Sequence, residues 1–252
     1  MKILTKDKPT IKIEDTNEAM GATAASDAAE YLKEIMKDGK EINIIFAAAP
    51  SQNTFLESLL KYDLPWERIN ALHMDEYIGL PADAPQGFGN FLYDHIFSKA
   101  PFKSVHYIRD CGTSAEEICN GYKEILKNNP PDVVFMGIGE NAHIAFNDPA
   151  FAKFDDSESV KVVELDDICR NQQVNDGCFA KFDDVPTHAI TLTIPTLMSA
   201  KRLFCMVPRA TKAQAVRRVY EGEIEEECPA SIMRRHDNAI MYCDADSAKH
   251  II

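Results

Sequence analysis

Short apolar runs recur along the chain, and segments with helical spacing fill the intervals between them. Valine, isoleucine, leucine and phenylalanine dominate these runs, which is typical of strands covered on both faces of a parallel sheet. The pattern predicts strands at Ile42–Ala48, Ile69–Met74, Val105–Ile108, Asp132–Ile138, Val160–Leu165, Leu203–Val207 and Ala239–Cys243. It predicts helices at Thr16–Lys37, Asn53–Lys61, Phe88–Ser98, Ser114–Asn128, Ile194–Ala200, Thr211–Glu221 and Pro229–Arg235.

The alternation of strands and helices predicts βα units from end to end. We therefore expect a single α/β domain over residues 1–252, with an open, mainly parallel sheet and helices on both faces, as in Rossmann-like folds. One segment departs from this rhythm, because Asp148–Ser159 is polar and begins with an Asp-Pro pair. It is a candidate mobile loop, and the wider region 148–180 is a possible lid.

Composition narrows the class of protein. The longest apolar runs are too short to span a bilayer, and the first residues lack the apolar stretch of a signal peptide, so we expect a cytoplasmic protein with no membrane partner. The net charge of −13 disfavours nucleic acid as a partner. The seven cysteines show no C-x-x-C spacing, which indicates free thiols rather than disulfides or a zinc site.

Polar or small residues follow several predicted strands, where open α/β sheets bind ligands. After the first strand come Ala48, Ala49, Pro50 and Ser51, which would let a backbone approach an anion at a helix start. Ser51 as a simple helix cap explains this segment at least as well.

A pair of carboxylates, Asp75 and Glu76, follows the second strand. Burial of charge there is costly, so packing alone explains it poorly, and a carboxylate with a tuned pKa could act as a general base. A helix cap at Asp75 with a solvated Glu76 is an equal alternative.

A glycine loop follows the strand at Asp132–Ile138 and presents His143 between Asn141 and Asp148. Its Gly-x-Gly-x-x-Ala pattern resembles a dinucleotide-binding fingerprint, but the Asn-Asp-Pro sequence from Asn147 cuts short the helix which that fingerprint requires. Histidine can transfer protons near neutral pH, and flanking polar groups can orient it. No second histidine at metal-ligand spacing accompanies it, so we expect no metal.

Cations follow two later strands. Arg170 comes after Val160–Leu165, and Arg209 and Lys212 come after Leu203–Val207. A lysine near a helix start opposes the helix dipole, so Lys212 makes more sense beside a bound anion. Taken singly, each cation could also be a solvated surface charge.

Together these segments resemble the family of glucosamine-6-phosphate deaminases (isomerases) and 6-phosphogluconolactonases, from about Ile42 to Cys243. The most specific matches are the His-Met-Asp-Glu-Tyr-Ile-Gly-Leu sequence from His73 and the glycine–histidine loop that ends at Pro149. The deaminase branch has tyrosine after the Asp-Glu pair where lactonases have arginine, so Tyr77 favours a deaminase.

The resemblance implies roles for individual residues. Asp75 would move a proton between C2 and C1 of an opened sugar, and His143 would help to open the ring, oriented by Asn141 and Asp148. The small-molecule partner would be a sugar phosphate bound by Glu76 and a set of phosphate-holding positions, namely Ala48, Ala49, Ser51, Arg170 and Lys212. The product would be fructose 6-phosphate with release of ammonia, and the family needs no metal or organic cofactor.

Three positions depart from the usual deaminase pattern: the Ala49–Gln52 loop, where Pro50 lacks an amide hydrogen, Asn141 in place of aspartate, and Asp148 in place of glutamate. Galactosamine 6-phosphate is therefore an alternative substrate. Hydrolysis of a sugar-phosphate lactone and non-catalytic sensing of a sugar phosphate are alternative functions. The resemblance leaves the oligomeric state open, from monomer to homo-hexamer.

Overall fold

The computed structural model describes all residues from 1 to 252 and contains eleven strands, among them all seven predicted from the apolar runs. Most of them are short and rich in isoleucine, valine and phenylalanine, as the sequence predicts. They are β1 (Lys2–Thr5), β2 (Thr10–Glu14), β3 (Ile42–Phe46), β4 (Ile69–His73), β5 (Asp75–Tyr77), β6 (Ser104–His106), β7 (Val133–Met136), β8 (Val160–Glu164), β9 (His188–Leu192), β10 (Arg202–Val207) and β11 (Ala239–Asp244).

Eight strands form the main sheet in the order β1-β2-β11-β10-β7-β3-β4-β6. All neighbours are parallel except β1, which pairs with β2 in the antiparallel direction. Strands β3, β4 and β6 follow one another toward one edge of the sheet, and β7 then pairs with the other side of β3. The strand order therefore reverses between β3 and β7, where such sheets bind ligands.

Helices cover both faces of the main sheet, which confirms the predicted α/β fold. They are α1 (Asn17–Met36), α2 (Asn53–Leu59), α3 (Phe88–Leu92), α4 (Ala115–Asn128), α5 (Asp167–Asn175), α6 (Ile194–Met198), α7 (Ala213–Glu221) and α8 (Ala245–Ala248). Alternate residues of β3 point to opposite faces, so Ile44 packs with α1 and α2 while Ile45 packs with α4 and α7. No helix has both the length and the apolar character needed to cross a bilayer.

A second, three-stranded antiparallel sheet has the order β5-β9-β8 and was not expected from the sequence. The predicted strand at Val160–Leu165 exists, but it belongs to this small sheet rather than to the parallel one. Its exposed and buried residues alternate, as in a sheet with one solvated face. The terminal strands β1 and β2, strands β5 and β9, and helices α5 and α8 were also not predicted.

The candidate loop at Asp148–Ser159 contains no helix or strand. Its backbone is attached to neighbouring parts of the protein, since the Phe154 N–H donates to Glu226 Oε1 (2.7 Å) and Lys161 donates to the Phe151 carbonyl (2.9 Å). Its role as a lid stays a prediction.

The contact between α1 and α2 depends on Gly21. A Cβ atom there would lie 2.5 Å from Thr54 Oγ1 and 2.6 Å from the Thr54 carbonyl carbon. Alanine normally stabilises a helix interior by about 1 kcal/mol relative to glycine. Because of this clash, we expect Gly21→Ala instead to lower the free energy of unfolding by about 1–3 kcal/mol in urea titrations.

Ser26→Ala, on the exposed face of the same helix, is the matched control and should change the free energy of unfolding by less than about 0.5 kcal/mol. A Gly21→Ala protein as stable as the wild type would contradict this account of the helix packing.

Candidate active site

A cavity opens at the carboxyl edge of the main sheet, where β3, β4, β7 and β10 end. Parallel strands bring their carboxyl ends to one edge, so side chains far apart in sequence converge there. Six of the residues proposed from the sequence line it together: Ala48, Ala49, Ser51, Asp75, His143 and Lys212. The convergence on which the sequence interpretation depends is therefore present in the fold.

Asp75 follows β4 and contributes a buried carboxylate to the cavity, with 7% of its surface exposed. The carboxylate forms no salt bridge, and its surroundings offer it no hydrogen-bond donor. Burial, together with repulsion from the adjacent Glu76, raises the pKa of Asp75 well above the ordinary carboxyl value. A carboxylate in this environment is strongly basic once it is ionised.

His73 fixes the backbone of Asp75 from behind. Its Nδ1 lies 2.9 Å from the Asp75 carbonyl oxygen, and its Nε2 accepts the N–H of Ile108 at 2.9 Å. This pairing requires the neutral tautomer with hydrogen on Nδ1, and burial lowers the pKa of His73 to about 4. Tyr122 adds a hydrogen bond from its hydroxyl to the His73 carbonyl (2.8 Å). Neither residue was predicted to have a role, although His73 begins the His-Met-Asp-Glu-Tyr-Ile-Gly-Leu motif.

Glu76 does not line the cavity, although the sequence places it beside Asp75. Its carboxylate accepts the backbone N–H groups of Tyr77 (3.0 Å), Phe88 (2.9 Å) and Gly89 (2.9 Å). Burial raises the pKa of Glu76, and these hydrogen bonds only partly offset that effect. Glu76 therefore anchors the start of α3, and Phe88 from α3 contributes to the cavity wall.

The glycine loop after β7 holds His143 in a constrained backbone. Ala142 and Ala145, on either side of it, have positive φ angles of 71° and 50°, a region that side chains other than glycine rarely occupy. The imidazole lies directly against Gly139, where a Cβ atom would be 2.3 Å from the ring. Only glycine at 139 therefore leaves room for His143 in this position.

His143 lies beside a buried acid, with its Nδ1 2.8 Å from Asp148 Oδ1. The geometry at Nδ1 is not that of a well-aligned hydrogen bond, so the contact is a close approach of the ring to the carboxylate. Burial alone would raise the pKa of Asp148, but His143, the Asn141 amide and the backbone N–H of Asp166 together lower it. Asp148 is therefore a stable anion behind the imidazole.

Lys212 supplies the cavity with a buried ammonium group at the start of α7, with only 3% of its surface exposed. It forms no salt bridge, and burial lowers its pKa despite the attraction of Asp176. The Ala48–Ser51 turn lines the same cavity and places small side chains at the end of β3. An unpaired buried cation beside small residues is a suitable environment for an anion.

Arg170 lies outside the cavity lining. Its Nη2 donates to the carbonyls of Phe182 (3.1 Å) and Val185 (2.9 Å), and its guanidinium stacks on the Phe182 ring at 3.9 Å. The strand before it, β8, belongs to the small antiparallel sheet rather than to the main one.

Helix α5 and the residue after it contribute three cavity residues that the sequence analysis missed: Gln172, Gln173 and Asp176. Asp176 is paired with Arg209 Nη1 at 3.0 Å, so its charge is partly neutralised. No signal in the sequence points to them, because α5 was not predicted and amide side chains are common on surface helices.

His143, Asp148 and Cys169 place one nitrogen, one oxygen and one sulfur atom within 4.8 Å of one another. Two ligands of one tetrahedral zinc ion would be roughly 3.3 Å apart, given zinc–nitrogen and zinc–oxygen bonds of about 2 Å. The nitrogen and oxygen are closer than that, at 2.8 Å, and burial raises the pKa of the Cys169 thiol. The arrangement is that of a carboxylate beside an imidazole, next to a neutral thiol.

The relationship to known proteins agrees with this geometry. Residues 15–242 match the family of glucosamine-6-phosphate isomerases and 6-phosphogluconolactonases. The chain belongs to this family. A glucosamine-6-phosphate deaminase of Bacillus cereus (strain G9842) is 34% identical over 218 residues, which are 86% of this chain and 81% of that protein. The resemblance inferred from the sequence is thereby confirmed.

Solved structures of family members share the fold. A monomeric glucosamine-6-phosphate deaminase has a TM-score of 0.84 and 27% identity, over 95% of this chain and 98% of that one. A 6-phosphogluconolactonase from Trypanosoma brucei has a TM-score of 0.79 and 17% identity, over 97% and 99%. The lactonase likeness concerns the fold alone.

The unpaired charge of Lys212 leads to a prediction about this family member without its ligand. We expect Lys212→Met to raise stability by about 1 kcal/mol or more, because a buried ammonium without a partner is unfavourable. Added inorganic phosphate should raise the thermal unfolding midpoint of the wild type but not of the variant.

Lys201→Met is the matched control, because Lys201 is paired with the mostly buried Asp132 at 2.7 Å. Its replacement should lower stability and leave the response to phosphate intact. A Lys212→Met protein that is destabilised, or that still responds to phosphate, would contradict the assignment of an anion site.

Proposed function

We propose that the chain is an amino-sugar phosphate deaminase that converts glucosamine 6-phosphate and water into fructose 6-phosphate and ammonia. One observation carries the proposal: an unpaired buried carboxylate (Asp75), an acid–imidazole pair (His143 with Asp148) and an unpaired buried cation (Lys212) surround the same cavity. The named deaminase relatives support this choice over the lactonase alternative.

The proposed reaction begins with ring opening, in which His143 transfers a proton to or from the sugar with Asp148 stabilising its charged form. Asp75 then removes the proton from C2 of the open aldose, while the aldehyde oxygen takes up a proton. Asp75 returns its proton to C1, which leaves a C2 iminium. Water adds to C2, ammonia departs, and the ketose phosphate remains.

The cavity is suited to these reaction steps in two ways. The amino group of the substrate brings positive charge next to Asp75, which favours the ionised carboxylate needed for proton removal. Lys212, with the Ala48–Ser51 turn and Gln52, would hold the phosphate. Gln52 Oε1 is buried without a partner, so it would accept a hydrogen bond from a sugar hydroxyl.

Asp75 as the base predicts a large loss of activity without its charge. Purified protein should release ammonia and fructose 6-phosphate from glucosamine 6-phosphate with no cofactor added, and chelators should not slow it. Asp75→Asn should lower kcat at least about 100-fold, the usual scale for loss of a general base. Asp83→Asn, an exposed aspartate nearby in sequence, is the control.

The same assay separates the alternatives. If the protein turns over galactosamine 6-phosphate faster than glucosamine 6-phosphate, the galactosamine epimer is the substrate. Rapid opening of 6-phosphogluconolactone without ammonia release would indicate a lactonase. Thermal stabilisation by sugar phosphates without any product would indicate a sensor. Full turnover by Asp75→Asn would rule out the proposed base.

The raised pKa of Asp75 also predicts the pH dependence. Proton removal requires the ionised carboxylate, so kcat/KM should fall as the pH falls through this raised pKa, above the ordinary carboxyl range. Glu76→Gln removes the repulsion between the two carboxylates and should shift this acid limb of the pH profile to lower pH. Burial, the larger cause of the raised Asp75 pKa, remains in the variant. Glu164→Gln, an exposed carboxylate on β8, should leave the limb in place. A limb that Glu76→Gln moves to higher pH would contradict the assignment.

A further inference from the structure

The side-chain amide of Asn141 lies between two carboxylates behind His143. Its Nδ2 donates to Asp148 Oδ1 at 3.0 Å and to Asp166 Oδ2 at 3.1 Å. Its Oδ1 accepts the backbone N–H of His143 at 3.0 Å. Both amide hydrogens therefore point at negative groups, and the amide oxygen points at a peptide donor, which fixes the orientation of the side chain.

Asp166 has no direct access to a substrate, because it does not line the cavity. Its Oδ1 accepts the N–H of Cys169 at 2.6 Å and caps the start of α5, while its Oδ2 is occupied by Asn141. Its backbone N–H is directed at Asp148 Oδ2, at 3.5 Å. Its contacts with the acid–imidazole pair therefore run through Asn141 and Asp148.

We propose that Asp166 is a positioning residue for the acid–imidazole pair of Asp148 and His143. It acts together with Asn141, because a carboxylate at 166 requires a neutral hydrogen-bond donor at 141. The carboxylate at 166 holds the amide at 141 in the orientation that donates to Asp148. The amide in turn donates one hydrogen bond to each of the anions Asp148 and Asp166, so the two carboxylates do not contact each other directly. The inference rests on the proposed function, because the pair is the part of the site assigned to ring opening.

The arrangement of Asn141 and Asp166 is sensitive to an added negative charge at position 141. An aspartate at 141 would replace two donor contacts, of 3.0 and 3.1 Å, by oxygen–oxygen contacts among three carboxylates. One of the three would have to bind a proton or move away, and either change disturbs the contact between Asp148 and His143. The other ionisable groups here are the buried Cys169 thiol and Arg218, whose Nη1 donates to the Asn141 carbonyl oxygen (3.3 Å). The Arg218 contact is with the backbone, so this cation does not bridge the carboxylates.

The test compares Asn141→Asp, Asp166→Asn and the double variant. Asparagine is as good a helix cap as aspartate, so Asp166→Asn removes the charge and keeps the cap of α5. We expect Asp166→Asn to lower kcat/KM a few-fold in the wild-type background. Asn141→Asp should lower it at least about tenfold, since small displacements of catalytic groups have effects of that size or larger. In the Asn141→Asp background, Asp166→Asn should raise kcat/KM.

This reversal of sign distinguishes the proposal from a purely structural role. Asp167→Asn is the matched control, because it removes an exposed charge one residue further along α5 and should have the same small effect in both backgrounds. An Asp166→Asn change that lowers activity in both backgrounds would overturn the proposal. If Asn141→Asp alone does not fold, recovery of folded protein in the double variant is the supporting result, and failure of both to fold is the contrary one.

Thermal unfolding gives a readout that does not need activity. Three carboxylates in contact raise the folded-state pKa of one of them above its unfolded value, so the folded state loses stability when that group ionises. The midpoint deficit of Asn141→Asp relative to wild type should therefore shrink as the pH falls from about 8 to about 5. A deficit independent of pH would contradict the proposal. Absence of turnover in every protein, with this deficit present, would contradict only the proposed function.

Discussion

Burial of charge without a partner is the constraint on which this site depends. Asp75 and Lys212 are both withdrawn from water, and no residue of the protein forms a salt bridge with either. Each group would be more stable in solvent, so the favourable free energy of the rest of the fold must offset the cost of burying them. A ligand with an ammonium group at one end and a phosphate at the other would relieve both.

The residues around these charges hold them in place rather than neutralise them. His73 and Tyr122 fix the backbone at Asp75, and the Glu76 carboxylate accepts three backbone N–H groups, two of which lie at the start of α3. On the other side of the cavity, strained alanines and Gly139 set the position of His143. Electrostatic preorganisation of this kind is the main source of rate enhancement in many enzymes.

Much of this could be predicted from the sequence, because continuous apolar runs identify buried parallel strands and the residues after them reach one edge of the sheet. This reasoning placed Asp75, His143 and Lys212 in one cavity. Arg170 lies outside the lining of that cavity, and the strand at 160–165 that precedes it does not join the main sheet as predicted. That strand pairs with β9, and strand pairing is not encoded in the apolar pattern of a single segment.

Hydrogen-bond partners were the other part that the sequence could not supply. Asn141 stands out in the sequence only as an amide near a histidine, and nothing in the pattern indicates that Asp166, 25 residues later, contacts it. Gln172, Gln173 and Asp176 enter the cavity because α5 lies over it, which requires the three-dimensional position of that helix.

The most direct measurement of the central claim is a crystal structure with an open-chain, reduced amino-sugar phosphate that cannot isomerise. The account predicts the phosphate within hydrogen-bonding distance of Lys212 and C2 of the sugar in contact with the Asp75 carboxylate. A phosphate bound at Arg170 or elsewhere, or a sugar whose C2 faces away from Asp75, would contradict it.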